Sequence, residues 1–132
     1  MTTKPSGPTA SLILFAHGAR DPAWRRPIDA LAARMSAALP GVRVLAAFLE
    51  LMEPGLPETI AQATADGARR VVIAPVFWAP GSHLRKDVPA LIEKARAQHP
   101  GVQFQVWSAL GESDAVLDAI THAYLRLWQA SS

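Results

Sequence analysis

VVIAPVFWAPGSHLRKDVP, residues 71–89, is the stretch that sets how the chain is laid out. Residues 71–77 are rich in β-branched and aromatic types and run straight into Ala79-Pro80-Gly81, with His83 just beyond. An unbroken apolar run of this length bounded by turn residues reads as a strand buried on both faces, the habit of parallel sheets. Arg85, Lys86 and Asp87 stand where a helix begins, so the stretch predicts strand, loop and helix in turn. In open α/β sheets, ligands settle where strand carboxyl ends meet helix amino termini. His83 is therefore a candidate functional group.

The same signals repeat on either side. Upstream, residues 57–66 read as a helix with Gly67 placed to cap it, and residues 42–49 as a strand ending at Glu50. Before those, Pro40-Gly41 stops a helix that carries Ile28, Leu31, Ala32, Met35 and Leu39 on one face. Residues 12–16 form the first short strand, which ends at His17. Downstream, Val88, Leu91, Ile92 and Ala95 mark one helix face, and Pro100-Gly101 closes that helix. Residues 102–107 make a fourth strand, and Val116, Ile120, Ala123 and Leu127 mark a last helix. Residues 1–10, with two prolines and a glycine, read as a flexible tail ahead of a single α/β domain over residues 11–130.

The pattern is βαβαβαβα with short connections. Right-handed crossovers then give a four-stranded parallel sheet covered on both faces, a flavodoxin-like three-layer sandwich.

Composition narrows the function classes. The chain has 132 residues, enough for one domain with one core. Half of it is apolar and 18% is charged, which argues against disorder. No apolar run approaches the roughly 18–20 residues of a membrane span, and the amino terminus has no signal-peptide core, so a soluble cytoplasmic protein is expected. The chain contains no cysteine, which leaves imidazole and carboxylate as the groups able to hold a transition metal. The net charge of +2 comes from scattered Lys and Arg, so no nucleic-acid partner is expected.

In a parallel sheet, His17, Glu50 and His83 all fall at the carboxyl edge. Two imidazoles and a carboxylate suit divalent iron, cobalt, nickel or zinc, with coordination positions left open. If the strand order is 2-1-3-4, strands 1 and 3 are adjacent and His17 and His83 face one crevice. Two rival chemistries lack their motifs. Ala16 stands where a histidine phosphatase needs the arginine before its histidine, and no G-x-S-x-G elbow is present for a hydrolase.

Three segments also resemble one family. Leu12-Ile13-Leu14-Phe15-Ala16-His17-Gly18-Ala19-Arg20-Asp21-Pro22 is similar to the strand-HGSRDP opening of the short class II tetrapyrrole chelatases, the sirohydrochlorin cobaltochelatase type. Phe48-Leu49-Glu50-Leu51-Met52-Glu53-Pro54 resembles that family's FLEL-x-EP segment. Pro75-Val76-Phe77, followed by Gly81-Ser82-His83-Leu84-Arg85-Lys86-Asp87-Val88-Pro89, resembles its P-L-F and GGH-x-x-x-DIP segments. Ala19 departs from a common serine and Pro80 from a frequent glycine.

The resemblance implies a chelatase half-unit that inserts a divalent metal, cobalt(II) first, into sirohydrochlorin in cobalamin biosynthesis. It makes His17 and His83 the metal-handling and proton-accepting residues, with Glu50 beside them. An imidazole suits both duties because its ordinary pKa is about 6.5. Arg20, Arg85 and Lys86 would hold the substrate's carboxylates, and Trp78 would pack on the macrocycle. No cofactor is expected to stay bound, since the metal is a substrate. A four-stranded unit offers little surface to enclose a tetrapyrrole, so the resemblance further implies a homodimer with facing clefts. The alternatives are an iron or nickel chelatase on the same ring, or a non-catalytic metal or tetrapyrrole carrier.

Overall fold

Each apolar run becomes a parallel strand because a helix follows it and carries the chain back to the same end of the sheet. The computed structural model describes residues 9–131. Its elements are β1 (Ala10–Ala16), a 3-10 turn (Pro22–Arg25), α1 (Arg26–Ala38), β2 (Val42–Phe48), α2 (Leu56–Ala65) and β3 (Arg70–Pro75). α3 (Ser82–Gln98), β4 (Gln103–Val106), a second 3-10 turn (Leu110–Glu112) and α4 (Asp114–Ala130) complete it. The sheet order is β2-β1-β3-β4 with every pair parallel, which meets the condition for placing His17 and His83 at one crevice.

Period-two alternation divides the strand residues between two layers. Ile13, Phe15, Val71, Ile73 and Phe104 pack with Leu56, Ile60 and Ala63 of α2 and with Ile92 and Ala95 of α3. Leu12, Leu14 and Val72 point the other way, onto Leu31, Ala32 and Met35 of α1. β1 is buried from Ser11 to Ala16 because it has a strand on each side and helices on both faces. Prolines in the first turns of α1 and α2 supply the fixed φ of a helix start where no N–H bond is lost.

Three departures from expectation bear on the site and its surroundings. β1 starts two residues early, at Ala10, and the Thr9 carbonyl accepts from the Arg69 N–H at 2.8 Å, so the sheet takes in the end of the expected tail. Residues 1–8 of that tail lie outside the described residues. β3 ends at Pro75 rather than at residue 77. The Phe77 and Trp78 carbonyls turn aside to accept from the N–H groups of Leu110 and Gly111, at 3.1 and 2.8 Å, so the second 3-10 turn holds that segment as a loop.

The third difference is the last helix. α4 forms where its spacing predicts, yet it buries none of its residues and does not join the α1 layer. The reason lies in β4, which buries Phe104 and leaves Gln103 and Gln105 exposed. Gln105 is the register partner of Val72, on the α1 side, and accepts a hydrogen bond from Arg70 at 3.5 Å. That polar strip gives an apolar helix face nothing to bury against.

The β1 and β2 ends are joined by backbone. Leu49 N–H donates to Ala16 O at 2.9 Å, and Glu50 N–H to His17 O at 3.1 Å. Such an approach requires glycine at 18: its φ is +91°, and a β-carbon there would stand 2.0 Å from the Glu50 carbonyl oxygen.

Two outcomes follow for stability. Ile73, with no exposed surface, is expected to lose about 2–5 kcal/mol on Ile73→Ala in denaturant unfolding, and a loss under about 1 kcal/mol would mean this residue is not core. Gly41 also has positive φ but open space around it, so Gly41→Ala should lose about 1 kcal/mol, the conformational term alone. Gly18→Ala should lose measurably more than Gly41→Ala, and equal losses would show that the contact with Glu50 is not tight.

Candidate active site

The crevice at the carboxyl edge is a consequence of strand order. β1 and β3 lie side by side, but the chain leaves β1 toward α1 on one face and leaves β3 toward α3 on the other. The two loops diverge there and leave a gap.

His17 is the first residue after β1, and its side chain is solvent-exposed. The imidazole rests on Phe77, with ring centroids 5.3 Å apart and planes tilted by 56°. Phe77 in turn meets Phe15 edge-on at 5.8 Å, which ties the histidine to the core. Glu50 is exposed two residues past β2, and its backbone N–H is bonded to the His17 carbonyl. His83 is the second residue of α3, after Gly81 at the N-cap, and is exposed on the same edge. All three sequence-derived residues therefore stand at the carboxyl ends of adjacent strands.

They do not form a closed ligand set within one chain. Among the described residues, no group of three or more His, Cys, Asp or Glu side chains is close enough to hold a metal ion. Nor are the three side chains engaged elsewhere: none makes a hydrogen bond or ion pair with another described residue. Arg20, Arg85 and Lys86 are likewise exposed and outside every ion pair among the described residues. Arg25, by contrast, is committed to Asp29 at 3.1 Å and lies 4.8 Å above the Phe48 ring. Trp78 is 60% exposed in the loop between β3 and α3. The edge is thus a row of free imidazole, carboxylate and cationic groups with an exposed indole among them.

Beneath it lies an apolar hollow. A cavity of about 390 Å³ is lined by Phe15, Phe77, Pro80, Leu84, Arg85 and Trp107. Its size and apolar walls with a few polar groups are those of a small-molecule cleft. A second cavity of about 290 Å³ shares Phe15 and Leu84 and reaches Leu49, Glu58 and Asp87.

Sequence reasoning missed two parts of this edge. Phe77 was read as the end of a strand and proves to be the loop ring supporting His17. Trp107, by sequence only the end of the fourth strand, lines the cavity of about 390 Å³. The one local signal was Gly111, where a β-carbon would stand 2.3 Å from the Trp78 carbonyl oxygen, and that contact exists only once the fold is formed.

Comparison with known proteins gives the family. The CbiX family model matches residues 11–127. A crystal structure described as a putative cobalamin (vitamin B12) biosynthesis CbiX protein from Marinobacter aquaeolei VT8 superposes with a TM-score of 0.76 at 31% identity. It covers 92% of this chain and 98% of its own. The sirohydrochlorin chelatase SirB from Bacillus subtilis subspecies spizizenii, solved with cobalt, shares the fold with a TM-score of 0.72 at 21% identity. The match takes in 86% of this chain and 49% of SirB. The sirohydrochlorin cobaltochelatase of Methanococcus maripaludis is 33% identical over 82 residues, 62% of this chain and 57% of that protein. The chloroplastic sirohydrochlorin ferrochelatase of Arabidopsis thaliana is 32% identical over 74 residues, 56% of this chain and 33% of that protein. This chain therefore spans between a third and three-fifths of those two relatives. Matched by the family model along nearly its whole length and superposing on a CbiX structure of similar extent, the chain belongs to the CbiX family.

Proposed function

We propose that this protein inserts a divalent metal, cobalt(II) first, into sirohydrochlorin or a closely related tetrapyrrole on the route to cobalamin, in the cytoplasm and as a homodimer. The observation that carries the reading is the pair of exposed imidazoles at one switch point: His17 just after β1, and His83 in the first turn of the helix that follows β3. The names of the relatives favour this chemistry and include both cobaltochelatases and a ferrochelatase.

Insertion replaces two pyrrole N–H protons with one M²⁺, so the site must strip water from the metal and accept two protons. A neutral imidazole does either. His17, braced by Phe77, and His83 share these duties, while Glu50 completes the metal's coordination or relays a proton. Arg20, Arg85 and Lys86, free of ion pairs among the described residues, take the peripheral carboxylates of the ring. Trp78 supplies an apolar face for the macrocycle. One chain's open edge does not enclose a planar ring, so a second copy supplies the opposite wall.

Steady-state metallation of sirohydrochlorin, followed by the absorbance change of the ring, tests the reading. The wild type should exceed the spontaneous rate with cobalt(II). His17→Ala and His83→Ala should each fall to that rate with circular dichroism unchanged, because both side chains are exposed and neither makes a hydrogen bond or ion pair with another described residue. Glu50→Gln should retain part of the activity. Full activity in both histidine variants would remove the site, and tight binding of metal or ring without turnover would make the protein a carrier.

A further inference from the structure

The two imidazoles at the crevice are held differently. His17 lies against the Phe77 ring with centroids 5.3 Å apart, whereas His83 makes no ring contact among the described residues. A metal-handling imidazole is ordinarily oriented by a hydrogen bond from its second ring nitrogen to a carboxylate or carbonyl. His17 makes no such bond to a described residue. An exposed side chain left to itself spreads over several rotamers, so the contact with Phe77 is what narrows the choice for this ring, and it leaves both nitrogens uncommitted.

Phe77 can orient another ring only if it is itself fixed, and it is fixed twice. Its ring meets the buried Phe15 edge-on at 5.8 Å. Its backbone lies past the end of β3, where the 3-10 turn Leu110–Glu112 takes hold of it. Leu110 N–H donates to Phe77 O at 3.1 Å and Gly111 N–H to Trp78 O at 2.8 Å. Just before that turn, Trp107 N–H donates to Ile73 O at 2.9 Å, so the turn is anchored to the sheet. So close an approach requires glycine at 111. A β-carbon there would stand 2.3 Å from the Trp78 carbonyl oxygen and 3.1 Å from its carbon, backbone atoms that cannot swing aside. Gly111 is not among the glycines of positive φ, so the requirement is one of space and not of backbone conformation.

We infer that Gly111 and Phe77 are positioning residues for metal insertion: the turn at 110–111 fixes the loop, the loop sets the Phe77 ring, and that ring aims the His17 imidazole. The effect on insertion rests on the chelatase reading above; the aiming of His17 does not. The two histidines are then unequal, His17 aimed before the metal arrives and His83 ordered only with it. An imidazole aimed in advance does not have to be ordered on the way to the transition state, so loss of the strut falls on kcat.

Two substitutions in the full-length protein test this, each read by cobalt(II) metallation of sirohydrochlorin and by the NMR signals of the histidine rings, assigned with His17→Ala and His83→Ala. Phe77→Leu removes the ring and keeps apolar bulk, and Gly111→Ala forces the turn off the Trp78 carbonyl. Each should lower kcat, at saturating metal and ring, by about 10- to 100-fold. Each should also move the His17 signals toward those of an unstacked imidazole and leave those of His83 in place. Phe77→Tyr, which keeps the ring, should stay near wild type in both readings. Gly41→Ala, just ahead of β2 at the opposite edge of the sheet, should lose stability without changing either. Unchanged kcat or unmoved His17 signals in either folded variant overturns the inference. If Gly111→Ala does not fold, Phe77→Leu against Phe77→Tyr decides. A wild type that fails to exceed the spontaneous rate sinks the chelatase reading instead, and the His17 signals then decide the aiming by themselves.

Discussion

The seating of β1 between β2 and β3 is the constraint on which the rest of the molecule depends. Its register brings Ile13 beside Ile73 and Phe15 beside Pro75, and both isoleucines are fully buried. Large-to-small changes at such positions lose several times what a surface change does, because cavity and transfer terms add. The same register puts the residue after β1 beside the loop after β3. The imidazole of His17 therefore meets the ring of Phe77 without any dedicated contact to bring them together.

Backbone geometry completes what the register begins. The bonds from Leu49 and Glu50 to Ala16 and His17 stitch the β2 loop to the β1 loop, and glycine at 18 leaves room for them. The carboxylate and the imidazole are thus carried on neighbouring, rigid backbone while both side chains stay free. Freedom of that kind is costly for a structural metal centre, where held ligands and second partners raise affinity. Under the proposed function, it suits a metal that must leave. Donor type alone does not rank cobalt above nickel or copper, so geometry and supply set the metal that is used.

The polar β4 surface and the apolar α4 face are two sides of one design. A helix that packed on its own sheet would need apolar residues where Gln103 and Gln105 stand. With glutamine there, the stripe on α4 stays exposed.

Strand and helix existence and their alternation were legible in the sequence, because apolar runs broken by Pro-Gly at 40–41 and 100–101 mark where each helix stops and the next strand begins, whereas the order of the strands came from the tertiary structure. So were the three residues His17, Glu50 and His83 at one edge, since each directly follows a strand or opens a helix. Their mutual distances were not legible: spacing along the chain says which edge a side chain occupies but not how loops curve above it. Only the tertiary structure decided that Phe77 leaves the strand to brace His17, because the donors that pull it away come from residues 110 and 111, more than thirty positions on. Only the tertiary structure decided that α4 stands off the sheet. Helical periodicity reports that a face is apolar and is silent about what that face covers, which depends on surfaces the helix does not itself encode.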